Sequence, residues 1–438
     1  MEPLDARPEF GQFRSRLVPG LGESRDSMTA DMQAPGTREC DEVTAATAVT
    51  VQGRTTGRQP IRVLLVAPTS RYVGGQAVQA KTLCRCWEGN QDIAMKFLPV
   101  DPQVPRSMRW TLKVRYLRTL VRTLVYLSSL LREVPQADVV HIFSASYWSF
   151  LLAPAPAVLV AHLFRKKVLL NYRSGEADDH FRRWRRFVSW VFRYTDRIVV
   201  GSRYLCQSFA EFDKQAEVVP NLVDTDQFRF RLRAPLAPRL LCTRGFEPHY
   251  RIQDVLKAFV YLKARYPAAI LTLVGTGPQE AELRALALRL GLRDVTFVGA
   301  VAHDQIPAWY DRHDIFVNAS SIDNMPVSIL EAFAAGLPVV STNAGGIPFI
   351  VEDQNTGLLS SVGDVTRLST NIIRLLDDPE LASRLASRAR LECVKYSWST
   401  VEQQWLRLYR ELLTAQPGGP VPATTLAPQS TEDDRVTV

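Results

Sequence analysis

The chain has 438 residues, of which 46% are hydrophobic and 22% charged, and its net charge is +8. This length exceeds what one hydrophobic core usually supports, so we expect two domains, and the ordinary composition argues against wholesale disorder. The six cysteines are scattered without a C-x-x-C pair. Their spacing argues against a disulfide framework or a zinc site and favours a cytoplasmic protein.

The positive charge is concentrated in the first half of the chain. Residues 60–235 contain 27 Lys and Arg against 14 Asp and Glu, a net charge of +13, which leaves −5 for the rest. Such asymmetry indicates an anionic partner: a membrane surface, a phosphorylated acceptor or nucleic acid. No recognised nucleic-acid-binding module accompanies the charge, so we expect no nucleic-acid partner.

Both ends of the chain have the composition of tails. Residues 1–59 contain no apolar segment of the kind found in secretory signals, and we predict disordered tails over 1–59 and 415–438. One apolar run, residues 147–164, resembles a membrane span. It contains two prolines and a histidine and lies between strand-like segments, so a buried helix is the favoured interpretation.

Short apolar runs alternate with helix-length segments from residue 60 onward. A polar, proline-containing stretch, 222–238, interrupts the alternation and is interpreted as a linker. The predicted strands before it are 62–68, 93–100, 137–144, 167–172, 197–202 and 216–221, and those after it are 239–243, 269–275, 295–300, 314–320 and 338–342.

This alternation predicts an α/β fold of two Rossmann-like, doubly wound parallel sheets that face a cleft. The expected domains are 60–221 and 239–397, and a C-terminal helix over 398–414 follows them.

The most informative segment follows the strand at 314–320, because ligands of open parallel sheets bind at the carboxyl ends of the strands. Asp323 falls at or just before a helix start, and Pro326 suits the first helical turn. The free N–H groups of that turn make an anion site suited to a diphosphate. Glu331 lies among apolar residues, where an idle carboxylate is costly, and could bind two ribose hydroxyls. The alternatives are a capping Asp323 and a solvated Glu331.

The segment 320–338 resembles the defining motif of family 4 of the retaining glycosyltransferases, also called glycosyl transferases group 1, which have the GT-B fold. In that family two Glu residues separated by seven others precede a small-residue helix and a Gly-Leu-Pro-Val-Val strand. The resemblance covers residues 61–413, strongly in the second half and loosely in the first. It extends to the motifs at 219–224, 273–277, 343–348 and 352–359.

The resemblance implies roles for several residues. Glu331 would bind the nucleotide ribose, Asp323 would contact the transferred sugar or its phosphate, and the backbone of Asn324, Met325 and Pro326 would hold sugar hydroxyls and the distal phosphate. Asp323 stands where the family has a Glu, which bears on the identity of the donor sugar.

The resemblance also implies a phosphate clamp. Arg244 matches the basic residue that the family places after the first strand of the second domain, whereas the Lys that should follow is missing and Arg251 is its best substitute. Gly75, with Gly74, matches the loop that approaches donor and acceptor, although a tight turn alone would also explain these glycines. The His found in many members near the donor sugar is missing from 171–176, where Arg173 and Glu176 stand without an assigned role.

No metal or cofactor is expected. Asp224-Thr225-Asp226 is formally a D-x-D triplet, but it lies at the linker rather than at the end of a strand. Gly275-Thr276-Gly277 lacks the third glycine of a dinucleotide fingerprint, and no H-E-x-x-H motif is present.

Two basic stretches, 109–131 and 181–192, interleave arginine with apolar residues. They are interpreted either as ordinary amphipathic helices with solvated charges or as docking elements for anionic lipid.

We therefore expect a retaining enzyme that moves a sugar from a nucleoside diphosphate sugar to an unidentified acceptor, in the cytoplasm or at the inner face of the membrane. The alternatives are an epimerase or phosphorylase of the same fold, and a catalytically silent sugar-nucleotide sensor or membrane scaffold.

Overall fold

Two parallel six-stranded sheets organise the part of the chain that the computed structural model describes, namely residues 59–69, 75–104, 110–111 and 113–414. Of the two predicted tails, residues 1–58 and 415–438 lie outside this part. Each sheet is covered by helices, which confirms the predicted fold class.

The first sheet has the strand order β2-β1-β3-β4-β5-β6, and every neighbouring pair is parallel. Its central strands form because short apolar runs bury side chains on both faces; β3, for example, is buried at every position. The strands are β1 (Ile61–Ala67), β2 (Ile93–Pro99), β3 (Val139–Ser144), β4 (Lys167–Tyr172), β5 (Arg197–Val200) and β6 (Ala216–Val218). The helices of this half are α1 (Gly75–Cys86), α2 (Arg115–Glu133), α3 (Tyr147–Leu152), α4 (Pro154–Leu163), α5 (Ala177–Arg183), α6 (Arg185–Phe192) and α7 (Arg203–Ala210).

The second sheet has the order β12-β11-β10-β7-β8-β9, again with all neighbours parallel. Its strands are β7 (Arg239–Thr243), β8 (Ile270–Val274), β9 (Val295–Gly299), β10 (Ile315–Val317), β11 (Val339–Thr342) and β12 (Leu358–Ser360). Its helices are α8 (Ile252–Arg265), α9 (Glu280–Arg289), α10 (Ile306–Arg312), α11 (Val327–Ala335), α12 (Val365–Asp377) and α13 (Pro379–Cys393). The edge strand β12 is absent from the strands that we predicted, because its three residues are too short to give an apolar run.

The last helix, α14 (Trp398–Thr414), returns to the first sheet. Trp405 and Tyr409 are buried in one hydrophobic core with residues of β1 and β3, although they follow the second sheet in the chain. The chain therefore crosses between the two sheets twice, once before β7 and once before α14.

The apolar run 147–164 differs from the single buried helix that we expected. It forms two helices, α3 and α4, that meet at Ala153, because Pro154 cannot continue a helix and instead begins the next one. Six residues of α4 are buried, in agreement with the buried interpretation. Within the described part of the chain, no helix has both the length and the apolar character that spanning a bilayer requires.

Candidate functional site

A cavity of about 220 Å³ lies where the carboxyl ends of strands from both sheets meet. It is lined by segments that follow β1, β4, β7 and β10, and by the start of α11. Parallel sheets bring loops from distant parts of the chain together in this way. The lining residues are Gly75, Gln76, Gln79, Arg173, Ser174, Gly175, Glu176, Asn221, Arg244, His249, Tyr250, Ile322, Asp323, Asn324, Met325, Pro326 and Val327.

The segment before α11 forms the floor of this cavity and is held by backbone contacts. Gly346 N–H donates to the carbonyl of Asp323 at 2.9 Å. A side chain at Gly346 would place its Cβ 1.8 Å from the carbonyl oxygen of Asn324, so only glycine permits this approach. The motif at 343–348 thus fixes the floor of the cavity, which its sequence alone did not reveal.

The same segment is tied to the first sheet by side chains. Asn221 donates through Nδ2 to the carbonyl of Met325 at 2.7 Å, and Ser202 Oγ donates to Oδ1 of Asn324 at 2.5 Å. Asn221 and Asn324 are buried, so these bonds are protected from water. The start of α11 is therefore braced from both halves of the molecule.

Helix α11 begins later than its sequence predicts, since the prediction places Asp323 at or just before the helix start and Pro326 in the first turn. Pro326 stands at the N-cap with φ −66° and ψ 115°, and Val327 is the first helical residue. Asp323 does not cap the helix, because its Oδ1 accepts the N–H of Asn324 at 3.0 Å. No side chain caps the start of α11, and Ile329 N–H donates to the carbonyl of Pro326 at 3.1 Å, so the N–H groups of Val327 and Ser328 are the ones left for an anion.

Arg244 is the best-anchored cation of the cavity. Its guanidinium lies 4.2 Å from the ring centroid of Tyr250 and donates to Ser328 Oγ at 3.2 Å. It also forms a close ion pair with Asp323, and both side chains are largely buried. The structure thus brings together two residues to which the sequence assigned separate roles, and each neutralises the other.

Glu331 is buried rather than solvated, with 6% of its surface exposed. Its Oε2 accepts from Tyr310 Oη at 2.9 Å, and its Oε1 lies 3.2 Å from Nε2 of His303. Burial, followed by the neighbouring carboxylate, raises the pKa of Tyr310 well above its usual value, so the phenol stays protonated and donates. Glu331 lies on α11 one turn beyond Val327, the last residue of that helix to line the cavity. Glu331 is therefore close to the cavity but is not one of its lining residues.

Arg251 is not brought to the cavity. Its Nε donates to Asp254 Oδ2 at 2.6 Å, and its backbone adopts a left-handed conformation with φ 48° immediately before α8. The other predicted donor-binding residues, Gly75, Asn324, Met325 and Pro326, do line the cavity.

Several lining residues received no role from the sequence, among them Arg173, His249 and Tyr250. Arg173 directly follows β4, a position that the strand-end rule for parallel sheets could have singled out. Tyr250 supports Arg244 through its ring face, and burial lowers the pKa of His249, so that this imidazole is neutral at pH 7.

The described residues contain no group of three or more His, Cys, Asp or Glu side chains arranged to hold a metal ion. Asp224, from the D-x-D triplet, instead accepts from Arg85 at 2.5 Å and from Gln227 at 2.7 Å. Its carboxylate is therefore occupied by protein donors.

Two sequence models of known families match the chain. The model described as "Glycosyl transferases group 1" matches residues 224–392, and the model described as "Glycosyltransferase Family 4" matches residues 70–227. The first match contains the α11 segment and Arg244, and the second contains Gly75 and Arg173.

Two curated proteins of Mycobacterium tuberculosis are among the relatives. A GDP-mannose-dependent alpha-(1-6)-phosphatidylinositol monomannoside mannosyltransferase is 31% identical over 239 residues, which are 50% of this chain and 60% of that protein. A glycogen synthase is 28% identical over 289 residues, which are 62% of this chain and 68% of that protein. The chain thus spans about three fifths of the mannosyltransferase's length.

Solved structures with a similar fold include two proteins of comparable size. Anabaena Alr3699/HepE in complex with UDP-glucose superposes with a TM-score of 0.64 at 18% identity, covering 81% of this chain and 99% of that chain. Sucrose-phosphate synthase from Thermosynechococcus elongatus superposes with a TM-score of 0.62 at 20% identity, covering 82% and 100%. These likenesses confirm the expected GT-B architecture.

Proposed function

We propose that this protein, which belongs to the group 1 and family 4 glycosyltransferases, transfers a sugar from a nucleoside diphosphate sugar to an acceptor with retention of anomeric configuration. One observation carries the proposal: a cavity at the strand ends of both sheets combines a buried arginine with the uncapped start of α11. Cations and free backbone N–H groups are what a diphosphate leaving group requires. The relatives named above are a transferase and a synthase, which favours transfer over the epimerase, phosphorylase and silent-sensor alternatives.

In this proposal the two sheets have different tasks. The domain of residues 239–397 holds the donor, and the domain of residues 60–221 presents the acceptor. The linker, 222–238, and the helix from Trp398 join the two parts. Asn324, Met325 and Pro326 line the cavity, where a sugar and a phosphate would lie.

The chemistry proposed here is electrostatic and does not use a metal ion. As the sugar–phosphate bond breaks, charge develops on the diphosphate, and a preorganised guanidinium with aligned N–H groups stabilises that charge. Arg244 is preorganised because Tyr250 and Ser328 fix its orientation before any substrate arrives. Asp323 neutralises this cation, so that donor binding exchanges one anionic partner of Arg244 for another.

Glu331 is assigned to the ribose of the donor. Glu331→Gln keeps the shape and the bond from Tyr310 but removes the charge that strengthens hydrogen bonds from sugar hydroxyls. We expect near-wild-type folding and an affinity for nucleoside diphosphates about tenfold lower, measured by calorimetry. Glu392→Gln, at a half-exposed glutamate paired with Lys395, is the matched control and should bind normally. Unchanged affinity in Glu331→Gln would remove this assignment.

Arg244 is assigned to the departing diphosphate. Losing a group that acts mainly in the transition state costs about 10²–10³ in turnover, so Arg244→Ala should reduce kcat by that factor. Arg244→Lys should recover only part of it, because an ammonium cannot reproduce both the stacking on Tyr250 and the bond to Ser328. A kcat of Arg244→Ala within about threefold of wild type contradicts the role.

We further propose that the first domain docks reversibly on an anionic membrane at the cytoplasmic face. Helix α2 buries Val121, Tyr126 and Leu130 but leaves a second apolar stripe in solvent. That stripe consists of Tyr116, Leu120, Leu124 and Leu131, which are 82%, 56%, 56% and 48% exposed.

Neighbouring helices also carry exposed apolar side chains. Helix α4 contacts both α2 and α6, and it ends at the exposed Leu163, while α6 exposes Trp190. Exposed arginines at 118, 132, 182, 183, 185, 186 and 193 accompany the apolar side chains. Apolar residues at the acyl boundary with guanidinium groups at headgroup level are typical of docking helices, and each cation near an anionic leaflet contributes ~1 kcal/mol. The five cysteines in the described part of the chain are free, which favours the proposed location at the cytoplasmic face, where thiols stay reduced.

Vesicle co-sedimentation tests the docking surface. The wild type should bind vesicles that contain phosphatidylglycerol, bind neutral phosphatidylcholine vesicles weakly, and dissociate at high salt. The double variant Leu120→Glu, Leu124→Glu should lose this binding. The matched control Leu288→Glu, Leu391→Glu changes leucines of the second half that are 79% and 72% exposed, and it should bind normally. Binding that ignores lipid charge, or that survives the change in α2, overturns the proposal.

A further inference from the structure

A partly buried cation of the first domain, Arg173, lines the cavity and has no carboxylate partner among the described residues. Arg173 lines the cavity, and no Asp or Glu among the described residues lies within ion-pairing distance of its guanidinium. The other two arginines considered for the phosphate clamp are already neutralised, Arg244 by Asp323 and Arg251 by Asp254. Burial lowers the pKa of Arg173 to about 9, as expected for a desolvated cation that lacks a counter-ion, and the group remains charged at pH 7.

A chain of neutral side chains holds this guanidinium in place. Arg173 donates through Nε to Oδ1 of Asn171, and Asn171 Nδ2 lies 2.9 Å from Nε2 of His141. His141 Nδ1 lies 2.8 Å from Tyr409 Oη, on α14. Burial, followed by the charge of Arg173, lowers the pKa of His141, so the imidazole is neutral; the tautomer protonated at Nδ1 satisfies every bond. This arrangement orients Arg173 but leaves its charge uncompensated.

The guanidinium is directed at the start of α11. Its Nη1 donates at 2.8 Å to Oδ1 of Asn221, the residue that binds the carbonyl of Met325. A Cβ added to Gly201 would lie 3.0 Å from both Arg173 Nη1 and Asn324 Nδ2, so these two nitrogens lie close to each other beside Gly201. Asn324 Nδ2 is buried and has no hydrogen-bond partner among the described residues. Unpaired donors of this kind, beside an uncompensated cation, suit an anionic oxygen.

We propose that Arg173 is the second cation of the diphosphate clamp and binds the distal phosphate of the donor from the first domain. Arg244 would hold the same diphosphate from the second domain, on the other side of the first turn of α11. Arg173, on the other side of the cavity, thus takes the role of the missing Lys. Arg251 does not take it, because its charge is neutralised by Asp254. The inference rests on the proposed donor, and it implies that the bound diphosphate joins the two domains.

Binding of nucleotides to the whole chain tests the inference. The probes are UDP, GDP, ADP and dTDP with their monophosphates, measured by calorimetry. Arg173→Gln should weaken binding of the preferred diphosphate about tenfold and leave the monophosphate unchanged, because the monophosphate lacks the distal phosphate. Arg244→Gln should weaken binding of both. Arg289→Gln, at an exposed arginine that ends α9, is the matched control and should bind both normally.

Several results would overturn the inference. The inference is wrong if Arg173→Gln binds the diphosphate as tightly as the wild type does. It is also wrong if the substitution lowers the affinities for the diphosphate and the monophosphate by the same factor. An unchanged diphosphate affinity with a raised KM for the acceptor would assign Arg173 to the acceptor instead. If Arg173→Gln does not fold, Arg173→Lys retains the charge without both asparagine bonds and should show the same selective loss, about threefold. If the wild-type protein binds no nucleoside diphosphate, the proposed function itself is refuted. If the wild type binds one and Arg173→Gln binds it equally well, only the role of Arg173 is refuted.

Discussion

The bracing of the segment from Asp323 to Pro326 is the constraint on which the rest of the site depends. Its backbone is fixed from below by Gly346, whose missing side chain permits contact with the carbonyl of Asn324, and from the first sheet by Asn221. Because the segment cannot move independently, the uncapped N–H groups of α11 keep one direction in space. A preformed anion site needs this rigidity, since donors that must reorganise during the reaction stabilise charge less well.

The two arginines that line the cavity, Arg244 and Arg173, are held in different ways. One is paired with a carboxylate, and the other is oriented by neutral side chains. Asp323 pairs with Arg244, whereas Asn171 and Asn221 hold Arg173 with carbonyl oxygens that carry no net charge. The first arrangement neutralises the charge of Arg244, and the second leaves the charge of Arg173 uncompensated, as the proposed diphosphate clamp requires. The return of α14 to the first sheet contributes to the second arrangement, because Tyr409 closes the chain of hydrogen bonds that ends at Arg173.

The sequence predicted the fold well because the apolar runs of the central strands, such as β3 and β10, are buried on two faces, which leaves a clear local pattern. It also identified the α11 segment, whose family resemblance and strand-end position agree. It could not reveal that Arg244 pairs with Asp323 or that Arg251 pairs with Asp254. Nor could it reveal that Arg173 has no carboxylate partner among the described residues and is held by Asn171 and Asn221 instead. Each of these pairings depends on tertiary packing, which brings side chains from different helices and strands together. The spacing of residues along the sequence does not show which carboxylate lies next to which arginine.

The most direct test of the central claim is the consumption of nucleotide sugars by the purified chain, followed by mass spectrometry in the presence of EDTA. The account predicts that one nucleotide sugar of a panel yields its nucleoside diphosphate together with a free or transferred sugar, and that chelation leaves the rate unchanged. Failure of every nucleotide sugar to react or to raise the melting temperature would contradict the assignment of the cavity to a donor. A rate lost with EDTA and restored by Mg²⁺ would contradict the metal-independent stabilisation of the diphosphate by arginine and the start of α11.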